Sequence, residues 1–240
     1  MPVIACNCQT CLSKDPRDKR LRTSLLVQTD KTDIVFDTGP DFRQQMLREN
    51  VQNLDAVIYT HEHRDHIAGL DDIRAFNFKQ KKPMDIFTEE RVLSALKYEY
   101  PYIFAEKKYP GIPKINVHLI NEEDFSINGL KITPIRVMHY RLPVLGFRIG
   151  DLAYITDANF ISEGEKEKLY GVKYFIVNAL RKEKHVSHFT LSEAVELISE
   201  ISPKRAWLTH MSHQMGYHYE LEKELPPHIR PAYDGLSFDV

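Results

Sequence analysis

The sequence lacks the long apolar runs and the one-sided charge that mark membrane and general nucleic-acid-binding proteins. No stretch approaches the roughly 18 to 20 apolar residues that a membrane-spanning helix needs, and the first residues, MPVIACNC, lack a charged-then-apolar secretory signal. Basic side chains number 32 and acidic ones 34, which excludes the broad positive electrostatic field that attracts polyanions. We therefore expect a cytoplasmic protein without a membrane partner, and nucleic acid only as a short oligonucleotide.

Cysteine is also scarce, and its placement is unusual. The only three cysteines, Cys6, Cys8 and Cys11, lie within six positions. An odd number in one short segment is a poor disulfide framework and is not expected to be oxidised in a reducing compartment. The spacing C-x-C-x-x-C suits a structural metal ion better, with three unligated cysteines as the alternative.

The chain has 240 residues, of which 42% are hydrophobic, enough for a substantial core. SLLVQTD and TDIVFDTG predict a β-hairpin, and the sequence predicts an irregular, exposed loop over residues 101–113. Thr190 and Glu193 stand at capping-box spacing at the start of a helix. Predicted helices are DFRQQMLREN, IAGLDDIRAFNF, ERVLSALKYEY and TLSEAVELISEI; further strands are LDAVIYT, INVHLI, LKITPIRV, LGFRIG, LAYITD, VKYFIVNAL and, before a polar tail, RAWLTH. Strand clusters in both halves, with helices between them, indicate two β-layers covered by helices, in one domain of residues 1–240.

The segment THEHRDHIAG concentrates three histidines and an aspartate directly after the predicted strand LDAVIYT. Such a density of imidazole and carboxylate on a loop indicates a metal site. Two divalent ions that share a hydroxide need about seven nitrogen and oxygen ligands. Further candidates stand at the ends of strand-like segments, which gives the set His61, His63, Asp65, His66, His139, Asp157 and His210.

This ordered series resembles the metallo-β-lactamase-fold hydrolases, over nearly the whole chain. The resemblance implies an α/β fold, the αββα sandwich of two mixed β-sheets flanked by helices. Relatives begin with a short strand and a GTG…QG loop before the proline that is here Pro2, so the first N-terminal strand is expected to be absent. The resemblance also implies the ligand sets: His61, His63 and His139 on one metal ion, Asp65, His66 and His210 on the other, Asp157 bridging both, and Asp37 supporting the site without binding metal.

The cysteines are similar to those of a subgroup that includes phosphoribosyl 1,2-cyclic phosphate phosphodiesterase. That similarity implies one structural Zn²⁺ bound by Cys6, Cys8, Cys11 and His213, because His213 follows His210 by three residues. It also implies a catalytic role for His188, which precedes the capped helix, with a solvated loop histidine as the alternative. His185 is the less favoured candidate for this role.

The implied chemistry is hydrolysis of a small cyclic or nucleotide-like phosphodiester. Two ions, either Zn²⁺ or Mn²⁺, carry four positive charges, of which Asp65, Asp157 and a bridging hydroxide cancel three, and the remainder favours an anionic substrate. The hydroxide would attack phosphorus, Asp65 would orient it, and His188 would give a proton to the leaving oxygen. Arg141 and Arg181 are weaker candidates for binding phosphate oxygens.

Two other functions stay open at the level of sequence. One is a nuclease resembling the tRNA 3′-processing endonucleases, although the chain has no long Gly- or Lys-rich insertion beyond Lys107–Pro113. The other is a non-catalytic, zinc-stapled binding protein, but branches of that kind tend to lose ligands that this chain retains. A homodimer is compatible with the sequence, and the natural substrate is not identified by it.

Overall fold

The computed structural model describes residues 1–107 and 109–240. These residues form two compact units. The middle unit comprises Arg22–Leu130, and the terminal unit comprises Met1–Leu21 together with Lys131–Val240. The expectation of a single domain over residues 1–240 stays a prediction.

A sheet of the order β1-β2-β3-β4-β5 forms the middle unit. Its strands are β1 (Leu25–Gln28), β2 (Asp33–Phe36), β3 (Ala56–Ile58), β4 (Met84–Thr88) and β5 (Ile115–Leu119). The predicted hairpin is confirmed, because β1 and β2 pair antiparallel with Leu25 opposite Phe36, whereas the remaining neighbours pair parallel. All three residues of β3 are buried, as expected for a strand inside a parallel sheet.

Helices of the middle unit are α2 (Phe42–Arg48), α3 (Arg64–Ile67), α4 (Arg74–Gln80), α5 (Glu90–Glu99) and α6 (Pro101–Phe104), with a 3₁₀ turn at Leu70–Ile73 and a short strand β6 (Phe125–Ile127). The loop predicted over residues 101–113 is wrong at its start, because Pro101 opens α6 and Ile103 is fully buried. Residue 108 of that loop lies outside the described residues.

The terminal unit is built on a sheet of the order β10-β7-β8-β9-β11-β12-β13. The strands are β7 (Leu130–His139), β8 (Leu142–Ile149), β9 (Leu152–Ile155), β10 (Phe160–Ile161), β11 (Tyr174–Asn178), β12 (Arg205–Thr209) and β13 (Ile229–Pro231). Antiparallel pairing from β7 to β9 changes to parallel pairing from β9 to β13, so this sheet is mixed.

Helices of the terminal unit are α1 (Gln9–Leu12), α7 (Glu163–Lys166), α8 (Leu191–Ile201) and α9 (His218–Glu224), with 3₁₀ turns at Pro16–Asp18 and His213–Met215. The predicted capping box on α8 is confirmed: Thr190 Oγ1 accepts a hydrogen bond from Glu193 N, and the Glu193 carboxylate accepts one from Thr190 N. The buried face of this helix packs into the core of the unit.

Among the elements that were not predicted from the sequence are α1, α7, α9, β4, β6, β10 and β13. The polar tail assigned after β12 contains both α9 and β13, and β13 carries Pro231, which is tolerated because the strand lies at the edge of the sheet. Within residues 1–107 and 109–240, no helix has the length and apolar character to cross a membrane.

Candidate metal centres

The histidine loop, residues 61–66, follows β3 and is fixed on the turn after β2. Thr38 N donates to His66 O at 2.9 Å, and Gly69 N donates to Thr38 O at 2.7 Å. A Cβ atom added at Gly39 would lie 2.3 Å from Asp65 O, and one at Gly69 would lie 2.3 Å from Gly39 O. Glycine is therefore required at both positions for the two backbone segments to approach.

Asp37, fully buried at the end of β2, orients two histidines of the loop. Its Oδ1 accepts from Thr60 N at 2.8 Å, and its Oδ2 accepts from Thr60 Oγ1 at 2.8 Å and from His66 Nδ1 at 2.7 Å. Because the Thr60 hydroxyl donates to Asp37, it accepts from His61 Nδ1, 2.9 Å away. In both histidines, Nε2 is therefore the nitrogen that would bind a metal ion.

The side chains of the histidine loop lie together. The ring centroids of His61 and His63 are 4.6 Å apart, and those of His61 and His66 are 4.2 Å apart. Asp65 Oδ2 lies 3.7 Å from His66 Nε2. The middle unit thus brings together the ligand candidates that the sequence placed in it.

Charged residues between the histidines attach this loop to α5. Glu62 forms an ion pair with Arg91, and Arg64 forms one with Glu99. No role was predicted for these residues from the sequence, although charged residues alternate with the ligand candidates in the motif itself. They direct alternate side chains of the loop towards α5.

In the terminal unit, three histidines surround Asp157, a buried residue two positions after the end of β9. His210 Nε2 lies 3.1 Å from Asp157 Oδ1. His188 Nε2 and His139 Nε2 lie 3.4 and 4.0 Å from Asp157 Oδ2. The predicted candidates His139, Asp157 and His210 are thus neighbours, and His188 lies among them.

The rings of this cluster are held in defined orientations. His139 Nδ1 donates to Ser187 O at 2.7 Å, which directs Nε2 towards Asp157. The His188 ring lies 4.5 Å from the His139 ring in an edge-on contact and 5.0 Å from the His210 ring in a stacked contact. Since His188 is only 8% exposed, it is not a solvated loop residue.

Two buried polar residues that were not predicted from the sequence hold the Asp157 side chain and the backbone of the next residue. Thr156 Oγ1 donates to Asp157 Oδ1 at 2.7 Å. The Asn178 side chain, at the end of β11, accepts from Ala158 N at 2.8 Å and donates to Ala158 O at 2.9 Å. A sequence signal could have identified Thr156 and Asn178. Each is a polar residue at the end of an otherwise apolar strand, and Thr60 follows the same pattern.

The cysteines form a separate cluster with His213. One donor atom from each of Cys6, Cys8, Cys11 and His213 lies within 4.8 Å of the others. His213 Nδ1 is 3.4 Å from Cys6 Sγ and 3.3 Å from Cys8 Sγ. A hydrogen bond from Cys11 N and the contact with His213 lower the pKa of the Cys8 thiol to about 6. Three thiols and an imidazole, one of the thiols already favouring thiolate, fit a tetrahedral Zn²⁺ site.

The two arginines make contacts near their own backbone. Arg181 donates to Lys184 O at 2.7 Å and to Glu183 O at 3.2 Å, so it braces the loop that carries His188. Arg141 is exposed, and its guanidinium lies 5.2 Å from the centre of the Tyr140 ring. Their assignment to phosphate binding stays a prediction.

The donor chemistry of each unit fits the divalent ions that the family resemblance implies. Imidazole nitrogens and carboxylate oxygens are ligands that both Zn²⁺ and Mn²⁺ accept. In His66 and His139, a hydrogen bond from Nδ1 to a carboxylate or a carbonyl oxygen fixes the tautomer with Nε2 as the donor atom. This is the arrangement in which histidine binds metal ions in proteins.

Comparisons with known proteins agree with this architecture. The family described as the beta-lactamase superfamily domain matches residues 32–211. An octanoyltransferase from Porphyromonas gingivalis is 39% identical over 99% of this chain and 48% of its own length, so the chain spans about half of that relative. A ribonuclease Z from Lachnospira eligens is 25% identical over 77% of this chain and 66% of its own length.

Among solved structures, one described as a new diphosphatase from the PhnP family superposes with a TM-score of 0.92. It is 36% identical, and the match covers 98% of this chain and 90% of that chain. The expected fold, two mixed β-sheets flanked by helices, is confirmed. The chain therefore belongs to the beta-lactamase superfamily, with the metallo-β-lactamase fold, in the branch that contains the PhnP-family diphosphatase.

Proposed function

We propose that the protein is a divalent-metal-dependent phosphodiesterase that hydrolyses small cyclic or nucleotide-like phosphodiesters. The position of His188 carries this proposal. Its buried ring contacts both His139 and His210, and its Nε2 lies 3.4 Å from Asp157 Oδ2. A titratable side chain beside the candidate ligands, but additional to them, suits proton transfer to a departing oxygen.

Two divalent ions, Zn²⁺ or Mn²⁺, would be held as the family resemblance implies: by His61, His63 and His139, by Asp65, His66 and His210, and by Asp157 between them. When bound, such ions would neutralise charge on phosphate oxygens and make water nucleophilic near neutral pH. Cys6, Cys8, Cys11 and His213 would hold one further Zn²⁺ with a structural role.

The protein's own side chains have distinct tasks in this proposal. Asp65 has a side chain that is 39% exposed, so it can accept a hydrogen bond from the attacking water and orient it. His188 donates a proton to the oxygen that leaves phosphorus, which supplies about 10²- to 10⁴-fold in rate. Arg141 and Arg181 are the candidates for binding the phosphate oxygens that do not react.

Phosphate chemistry also agrees with the names of two of the relatives. The solved structure with 36% identity is described as a diphosphatase of the PhnP family. The ribonuclease Z at 25% identity keeps RNA cleavage as the second candidate, because it uses phosphodiester chemistry as well. Between α6 and β5 this chain has only residues 105–114, which favours a small substrate over one held by a long arm.

The test combines metal analysis with turnover of diesters. Protein loaded with Zn²⁺ or Mn²⁺ is expected to hydrolyse bis(p-nitrophenyl) phosphate and 2′,3′-cyclic CMP, and more slowly a short RNA oligonucleotide. Replacing His188 with Ala should slow hydrolysis of the cyclic nucleotide and leave the metal content intact, whereas His118→Ala, at an exposed position, serves as the control.

Metal-replete protein that is inert on every diester would refute the phosphodiesterase and favour a zinc-stapled binding protein. Faster cleavage of RNA than of the small diesters would favour the nuclease. Loss of metal from His188→Ala would make this residue a ligand instead of a proton donor.

We infer a cytoplasmic location as part of the same proposal. The three cysteines are free of disulfide bonds, and a site of three thiolates keeps its metal ion best in a reducing compartment. Fractionation of cells that express the protein, followed by immunoblotting, would test this location.

A further inference from the structure

His185 and His188 contact each other in the loop between β11 and α8. Their Nδ1 atoms are 3.1 Å apart, and their ring centroids are 4.9 Å apart. The hydroxyl of Ser187 lies 3.3 Å from His185 Nδ1 and 3.1 Å from His188 Nδ1. The ring that faces Asp157 is therefore hydrogen-bonded, through its other nitrogen, to a second histidine.

The direction of this hydrogen bond follows from a backbone contact. Ser187 N donates to His185 Nδ1 at 3.3 Å, so this nitrogen is an acceptor and carries no proton. A hydrogen bond between the two rings therefore requires the proton to lie on His188 Nδ1. Burial, together with the neighbouring His188 and Arg181, lowers the pKa of His185, which keeps it a neutral acceptor.

We propose that His185 is a positioning residue for the proposed phosphodiesterase reaction: it accepts the His188 Nδ1 proton and thereby directs His188 Nε2 towards the reacting group. In the step that breaks the P–O bond, the Nε2 proton of the imidazolium form of His188 moves to the leaving alkoxide oxygen, and His188 becomes neutral while its Nδ1–H stays hydrogen-bonded to His185. A general acid oriented by a third group is a recurring arrangement in hydrolases.

The loop that carries both rings is closed at its base. Leu180 N donates to Phe189 O at 3.0 Å, and Leu191 N donates to Arg181 O at 2.9 Å. The Arg181 guanidinium also donates to Lys184 O at 2.7 Å, next to His185. These bonds restrict the loop, so that the contact between the two histidines is maintained.

The kinetic test compares two leaving groups, and it rests on the proposed function. The alkoxide released from 2′,3′-cyclic CMP needs a proton, whereas p-nitrophenolate from bis(p-nitrophenyl) phosphate leaves without one. His185→Ala should lower kcat for the cyclic nucleotide about 10- to 100-fold, a part of the ~10²- to 10⁴-fold that acid catalysis supplies. KM, metal content and p-nitrophenolate release should change little.

Two further variants separate positioning from folding. His185→Asn keeps an acceptor oxygen near the place of Nδ1 and should recover most of the lost rate. Val186→Ala, at an exposed position of the same loop, should behave as the wild type. Equal losses on both substrates, or no loss on either, would overturn the proposal.

A measurement independent of activity distinguishes failure of this inference from failure of the phosphodiesterase. ¹⁵N chemical shifts of the His188 imidazole report which nitrogen carries the proton. We expect Nδ1 to be protonated in the wild type and the tautomers to mix in His185→Ala. A wild-type His188 with an unprotonated Nδ1 would refute the role of His185, whatever substrates the enzyme accepts.

Discussion

Replacing Asp37 with Asn should weaken metal binding through the tautomers of two histidines. The carboxylate accepts from Thr60 N, Thr60 Oγ1 and His66 Nδ1 at 2.7–2.8 Å in a fully buried position. An amide keeps one acceptor oxygen for Thr60 N, but its NH₂ group then faces the other two. His66 Nδ1 must become an acceptor, which moves the ring proton to Nε2, the atom that would bind metal.

The same substitution reaches His61 through Thr60. When the Thr60 hydroxyl accepts from the new amide, it turns to donate to His61 Nδ1, and His61 then also carries its proton on Nε2. Loss of such a group behind metal ligands lowers metal affinity about 10- to 100-fold, and replacing a buried charged acceptor with a neutral amide costs about 1–3 kcal/mol of unfolding free energy.

Competition with a chromophoric chelator measures the Zn²⁺ affinity, and urea denaturation measures the unfolding free energy. Asp85→Asn is a matched control, because Asp85 also contacts a histidine, His118 at 3.0 Å, on the same sheet but at the surface. That variant should keep the wild-type metal affinity. Unchanged affinity in Asp37→Asn would refute the tautomer argument.

Three further predictions concern other parts of the chain. Cys8→Ser should lose one Zn²⁺ by metal analysis, whereas variants of the histidine loop should retain that ion. Burial, followed by the charge of Arg20, lowers the pKa of His218. The unfolded chain therefore binds more protons than the folded protein below about pH 6.5, so the unfolding free energy measured by urea titration should fall as the pH drops below that value. This fall should be less steep in His218→Gln. Gly39→Ala should lower the unfolding free energy by about 1–3 kcal/mol through overpacking, because its Cβ would lie 2.3 Å from a carbonyl oxygen. Gly164→Ala, whose Cβ would lie in open space, should leave the unfolding free energy unchanged in the same urea titrations.

The sequence carried most of the information on which residues cluster within each unit. The histidine loop is local, so its ligands share a segment of six residues, and apolar runs located the strands before Asp37, Asp157 and His210. Pattern alone did not reveal β4, whose buried and half-buried residues alternate, or β13, which contains a proline. β13 is a short edge strand, whereas β4 lies between β3 and β5 and takes its hydrogen bonds from both.

The conformation of the strand-ending residues is the part that spacing could not reveal. Asp37, Asp157 and His210 have φ angles of +63°, +51° and +52°, in the left-handed region that non-glycine residues seldom adopt. A left-handed residue ends the alternation of a strand and turns its side chain out of the pleat, towards the end of the sheet. Strain of this kind persists only where surrounding contacts enforce it, as the buried bonds from Thr60 to Asp37 and from Thr156 to Asp157 do. The three residues thus reach their positions through backbone geometry that the fold imposes, and this explains why their polar neighbours, absent from the ligand motif, are buried beside them.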